Sequence, residues 1–253
     1  ILITNDDGIH APGIRYLWEA LKELADLTIV APSDEKSASG LSITIRNPLT
    51  VRPVKWEENT DAWSVSGTPA DCVKLALSQY LLSPPDLIVS GINPGSNAGR
   101  NFLYSGTIGG IIEGIMHDIP GIAFSTVTSF NPDFQSCVPH IGKIVKYVLS
   151  NPLKPGTLLN VNFPKSKTPH GIKLTRQGSG LMMENPERRI HPTEGHHYFW
   201  IGQKEYRSEE PEDSDTYWLE KDYITAVPAH VAELTDHHIL EQRKSSFESY
   251  FLL

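Results

Sequence analysis

Cysteine is nearly missing from this chain. Cys72 and Cys137 are the only two in 253 residues, and they have neither disulfide-framework nor metal-ligand spacing. A disulfide-stapled secreted domain and a cysteine-held zinc centre are thereby set aside, and a reducing cytoplasm is the expected compartment. No apolar run approaches the length of a membrane span, and no signal-peptide pattern opens the sequence. Positive charge is scarce too. The net charge of −8 argues against a nucleic-acid duplex or an anionic membrane as the main partner, although a small anion held through a metal remains compatible with it. Internal repeats, low-complexity linkers, a Walker Gly-Lys-Ser/Thr loop and a Gly-x-Gly-x-x-Gly after the first strand are all absent. What is left is an ordinary globular composition, long enough to bury a substantial core in one large domain.

The order of elements reads as alternating strand and helix. Residues 1–4 are a short apolar run stopped by Asn5-Asp6-Asp7-Gly8, the pattern of a buried strand ending in a turn. Pro12 suits the first turn of a helix on which Ile14, Leu17, Leu21 and Leu24 share one face. Residues 27–31 form the next strand, so the chain opens strand, helix, strand. Residues 62–66 read as a strand and Thr68-Pro69-Ala70-Asp71 as a capped helix start, with 87–92 a central strand. A helical stretch follows over 111–115, then a strand over 119–125, a helix over 138–149 and a last core strand over 158–162. The expected fold is α/β: three layers around a doubly wound, mostly parallel, Rossmann-like sheet. Composition changes near Thr175. Residues 1–175 are read as the catalytic core, and 176–253 as hairpin and tail elements for oligomerisation packed on the same single domain. The pairs His196-His197 and His237-His238 are read as surface histidines.

Chemistry concentrates at the strand ends. Adjacent carboxylates such as Asp6 and Asp7 are costly to bury together unless a cation or hydrogen-bond donors compensate them. On those eight opening residues alone a solvated turn is the simpler reading. In an open parallel sheet, however, ligands bind outside the carboxyl ends of the strands, and further polar groups stand there. The loop after the second strand carries Ser37 and Ser39, and Asn93 ends the central strand with an amide oxygen able to coordinate a hard cation. Gly95-Ser96-Asn97-Ala98-Gly99 and Tyr104-Ser105-Gly106-Thr107 then lead into a helix, the composition of a phosphate cradle.

Four ordered motifs carry a resemblance. Asn5-Asp6-Asp7-Gly8 with Ala11-Pro12-Gly13, Ser66-Gly67-Thr68-Pro69-Ala70-Asp71, Ser90-Gly91-Ile92-Asn93-Pro94-Gly95 with Asn97, and Tyr104-Ser105-Gly106-Thr107 are similar to those of the SurE family of stationary-phase survival phosphatases. The similarity runs from Ile1 to about Thr175, with weaker echoes in Asp215-Thr216 and in residues 223–228. It implies a metal-dependent phosphomonoesterase acting on nucleoside 5′- and 3′-monophosphates, with short polyphosphate as a further substrate. It also implies one divalent cation per subunit, Mg²⁺ or Mn²⁺, held by Asp6, Asp7, Ser37 and Asn93. Phosphate is expected at Asn97, Ser105, Gly106 and Thr107, with Asp6 and Asp7 catalytic. A homodimer or homotetramer with exchanged C-terminal elements is implied as well. The rival reading is a non-catalytic nucleotide-binding regulator. The adjacent carboxylates speak against it, because a pure anion binder gains nothing from negative charge at the phosphate.

Overall fold

The computed structural model describes residues 1–58, 60–206 and 209–251. The opening reads β1 (Leu2–Thr4), α1 (Pro12–Leu21), β2 (Thr28–Pro32), β3 (Val51–Pro53), β4 (Asp61–Val65) and α2 (Pro69–Leu75). The middle follows as β5 (Ile88–Pro94), α3 (Gly106–Ile115), β6 (Gly121–Thr126), α4 (Val138–Ser150) and β7 (Thr157–Phe163). The remainder is β8 (Ile172–Leu174), β9 (Leu181–Ile190), β10 (His197–Tyr206), α5 (Asp215–Leu219), β11 (Ile224–His230) and α6 (His237–Tyr250).

Nine strands form one sheet in the order β3-β4-β2-β1-β5-β6-β7-β11-β8. Pairing from β4 through β7 is parallel throughout, so the carboxyl ends of β1, β2, β5 and β6 lie along one edge. The central strands are buried on both faces, which is why they read as continuous apolar runs. Leu2 and Ile3 show the two faces directly. Ile3 joins Leu17 and Trp18 of α1 and Ile141 and Val145 of α4 on one side. Leu2 joins Val73 of α2 and Ile108 and Ile111 of α3 on the other. The fold is thus three layers, helix pair, sheet, helix pair, as expected.

One expectation changes beyond β7. The strand read as the last of the core is followed in the sheet by β11, antiparallel to β7 from Thr225 opposite Asn162 to His230 opposite Thr157. Strand β8 then closes the edge beside β11. A long polar stretch separates these partners in sequence, and local periodicity carries no information about such a pairing. That stretch is itself regular: β9 and β10 make a separate two-stranded antiparallel ribbon with Ile190 opposite His197. The tail helix α6 buries none of its residues. Within residues 41–54 β3 alone forms a strand, at the sheet edge against β4.

The start of α2 shows how a local motif fixes a long loop. Thr68 and Asp71 form a reciprocal capping box, with the Thr68 N–H donating to Asp71 Oδ2 at 2.9 Å and the Asp71 N–H to Thr68 Oγ1 at 3.2 Å. Asp71 also accepts the Thr44 N–H at 2.9 Å, and the Thr68 hydroxyl donates to the Ser42 carbonyl at 2.6 Å. The helix mouth is therefore committed to the chain between β2 and β3. Replacing Asp71 with Ala removes an acceptor from two N–H groups. It is expected to lower the unfolding free energy by about 1–3 kcal/mol, read from urea denaturation with the m-value unchanged; an unshifted midpoint would refute this role of the cap.

Candidate active site

The turn after β1 is fixed by Asn5, whose Nδ2 donates to the Gly8 carbonyl at 2.9 Å and whose Oδ1 accepts the Gly8 N–H at 3.2 Å. Asn5 thus fixes the turn that presents the two aspartates. Asp6 is buried, and its Oδ1 accepts the Thr107 hydroxyl at 2.6 Å. Asp7 is half-buried, and its Oδ2 is enclosed with no hydrogen-bond partner. Such an atom in a native fold requires an explanation.

Helix α3 meets the aspartates end-on. Ser105 caps it by accepting the Ile108 N–H at 3.2 Å. At Gly106 a Cβ would lie 2.8 Å from Asp6 Cβ and 2.6 Å from Ser39 Oγ, so only glycine lets the helix mouth approach this closely. The carboxylate of Asp6 therefore sits where the dipole and the N-terminal N–H groups favour negative charge. Of the two hydroxyls expected at the phosphate, Ser105 Oγ accepts the cap N–H and Thr107 donates to Asp6.

Burial dominates the electrostatics. It pushes the Asp6 carboxyl above its ordinary range, against the pull of the Thr107 hydroxyl. Asp7 is pushed up to about 8, first by burial and then by the charges of Asp6 and Glu35. Three carboxylates thus act on one another across the turn after β1 and the loop after β2. Their mutual repulsion is relieved by a proton or by a cation.

The loop after β2 is tied to this centre by the Lys36 N–H, which donates to the Asp6 carbonyl at 2.7 Å. Ser37 is exposed, and its hydroxyl donates to Glu35 Oε1 at 2.6 Å. The neighbouring Ser39 has its Oγ buried beside Gly106 and Asp6 without a hydrogen-bond partner. Asn93, near the end of β5, donates its Nδ2 to the Gly95 carbonyl at 2.6 Å, which commits the amide nitrogen and not the amide oxygen.

Asn97 is held from three sides. Its N–H donates to Asn162 Oδ1 at 2.9 Å, its Nδ2 to Ser125 Oγ at 2.7 Å, and its carbonyl accepts Asn160 Nδ2 at 2.9 Å. Asn160 and Asn162 on β7 and Ser125 on β6 are fully buried. They form a polar seam under the loop after β5 that the sequence reading did not single out. The signal was present as asparagines at alternate positions of an otherwise apolar strand. Asp215, also fully buried, accepts the Gly99 N–H at 3.0 Å and the Gly178 N–H at 2.8 Å. Burial pushes its carboxyl up while these N–H groups hold it down. It pins the C-terminal region onto the loop that carries Asn97.

His10 lines a cleft of about 660 Å³ with Asp34, Arg52, Ser64 and Ser66. The cleft lies beside the turn after β1, where the Ile9 N–H donates to the Pro32 carbonyl at 2.8 Å.

The Asp7 carboxyl gives a pH test. Its folded value of about 8 lies above the ordinary 3.8, so the proton is held more tightly folded than unfolded. The stability linked to it is complete below about pH 4 and is lost as pH rises through about 8. In EDTA, Asp7→Asn is therefore expected to melt above the wild type at high pH, by about 2–4 °C for each kcal/mol in a chain of this size. The two curves should converge near pH 4, and scanning calorimetry showing a gap independent of pH would contradict the assignment.

Comparison with known proteins places this geometry in a family. The model of the Survival protein SurE family matches residues 1–184. The chain is 53% identical to a protein named 5′-nucleotidase SurE from Protochlamydia amoebophila, covering 99% of this chain and 97% of that one. It is 43% identical to a protein of the same name from Christiangramia forsetii, over 97% and 95% of the two chains. A solved structure of the SurE protein from Aquifex aeolicus superposes with a TM-score of 0.83 at 37% identity, covering 97% of this chain and 98% of that chain. The chain belongs to the SurE family.

Proposed function

We propose that this protein hydrolyses nucleoside 5′-monophosphates to nucleoside and phosphate with a divalent cation bound at the end of β1. The observation that carries the reading is the enclosed, unpartnered Asp7 Oδ2 beside a second buried carboxylate at the mouth of α3. The relatives' shared name, 5′-nucleotidase, supports the substrate class.

The donor set fits the cation. Carboxylate, hydroxyl and amide oxygens suit hard Mg²⁺ or Mn²⁺, and the mutual repulsion of Asp6 and Asp7 is what such a charge offsets. Asp6, Asp7, Ser37 and Asn93 would hold one ion per subunit. Once bound it supplies a Lewis acid for a phosphoryl oxygen and lowers the pKa of a bound water. The protein's own groups do the rest. Thr107 fixes one oxygen of Asp6, which holds that carboxylate in place. The unpartnered oxygen of Asp7 is suited to take the proton of the attacking water. Asn97, locked by Ser125 and Asn162, shapes the phosphate pocket with Ser105, Gly106 and Thr107. The cleft by His10 and Arg52 is of a size that takes a nucleoside. Activity on 3′-monophosphates and short polyphosphate belongs to the same proposal, since neither changes the phosphoryl group that is attacked.

Phosphate release from 5′- and 3′-nucleoside monophosphates and tripolyphosphate, with Mn²⁺ or Mg²⁺ and again with EDTA, tests it. Metal-dependent release is expected, with Asp6→Ala and Asp7→Ala each losing at least about 100-fold while staying folded. Near-normal turnover in either variant sinks the site. Nucleotide binding without any release would instead establish the regulator.

Self-association is part of the proposal. Phe199, Trp200 and Ile201 of β10 and Phe247, Tyr250 and Phe251 near the C-terminus are each more than half exposed, an apolar display that fits contact with other copies. Light scattering of the full chain is expected to give the mass of two or four copies, and a monomer at micromolar concentration would refute this.

A further inference from the structure

The ribbon of β9 and β10 ends in His191-Pro192-Thr193-Glu194-Gly195-His196. Two backbone hydrogen bonds close this tip, from the His191 N–H to the His196 carbonyl at 2.8 Å and from the Gly195 N–H to the His191 carbonyl at 3.1 Å. Gly195 makes the turn with a φ of +71°. The ladder thereby brings the two histidines face to face, with ring centres 4.9 Å apart and planes 14° from parallel. Glu194 lies between them. Its carboxylate is 3.1 Å from His196 Nδ1, and its N–H donates to His191 Nδ1 at 3.2 Å. One donor atom from each of the three residues lies within 4.8 Å of the others, the one such trio of His, Cys, Asp or Glu among the described residues.

We propose that this hairpin tip is a second metal site, in which His191, Glu194 and His196 bind a borderline transition-metal cation of the Zn²⁺ and Co²⁺ class. Metal–donor bonds of about 2.0–2.1 Å around a tetrahedral ion put neighbouring donors roughly 3.3 Å apart. The Glu194–His196 pair already has that spacing. The remaining donor, at most 4.8 Å away, closes on them with a side-chain movement of about 1.5 Å. Two imidazoles and a carboxylate select this class of ion over Mg²⁺ and Ca²⁺, whereas the all-oxygen set at Asp6 and Asp7 has the opposite preference. The two sites therefore sort different metals. Three protein ligands leave a position for water, and the ion acts as a clip across the end of the ribbon. The adjacent His197 is turned to Arg188, 2.6 Å from its guanidinium, and takes no part.

The test is equilibrium dialysis of the full-length protein against Zn²⁺ in excess Mg²⁺, with bound metal counted per chain, and a parallel Co²⁺ titration followed by visible absorption. The wild type is expected to take up one Zn²⁺ per chain that the double variant His191→Ala/His196→Ala loses. Glu194→Gln should weaken binding at least tenfold, and His197→Ala should keep it. Any Zn²⁺ held at the strand-end carboxylates stays in the double variant and is subtracted, so the result does not depend on the proposed catalysis. Circular dichroism of the double variant, expected to match the wild type, excludes misfolding. Equal uptake by wild type and double variant overturns the proposal. So does uptake of half an ion per chain accompanied by a rise in mass, which would mean bridging between copies.

Discussion

The 2.6 Å hydrogen bond from Thr107 to Asp6 joins residues 101 positions apart, and the rest of the site is arranged around it. It holds the mouth of α3 against the end of β1, which requires glycine at 106 and encloses the Asp6 carboxylate. Once Asp6 is enclosed, its neighbour Asp7 faces burial beside a like charge, and the pair becomes a group that favours a proton or a cation. A parallel sheet makes such an arrangement possible, because it delivers the ends of β1, β2, β5 and β6 to one edge.

The polar seam beneath the loop after β5 solves a different problem. That loop runs from a central strand to a buried helix start and brings backbone N–H and carbonyl groups out of water. Asn162 and Asn160 satisfy them at Asn97, whose side-chain amide Ser125 holds, and Asp215 does so at Gly99. Each is a buried polar side chain whose removal leaves its partner unpaired, so the loop has one conformation rather than several. Through Asp215 the C-terminal region becomes part of the support for the site, although its tail helix buries none of its residues.

Legibility followed range. Strands β1, β2, β5 and β6 and helices α1, α3 and α4 were readable because burial on one face or both leaves a local period or run. The capped start of α2 was readable because its partners are three residues apart. Strand β9 was not, since it carries Pro186 and charged residues and is defined only by its pairing with β10. Helix α6 was missed because its few apolar residues are separated by a long polar run and none of them is buried.

By itself the sequence determined that two carboxylates end the first strand of a parallel α/β sheet, that Asn93 ends the central one, and that a glycine- and hydroxyl-rich turn opens α3. Those features are local, written in turn chemistry and hydrophobic period. Only the tertiary structure decided which groups face each other: Thr107 toward Asp6, Ser39 rather than Ser37 beside Gly106, Asn162 under Asn97, and His191 against His196. Such contacts depend on strand order, register and loop closure, which are set by the packing of the whole chain and leave no trace in spacing along it.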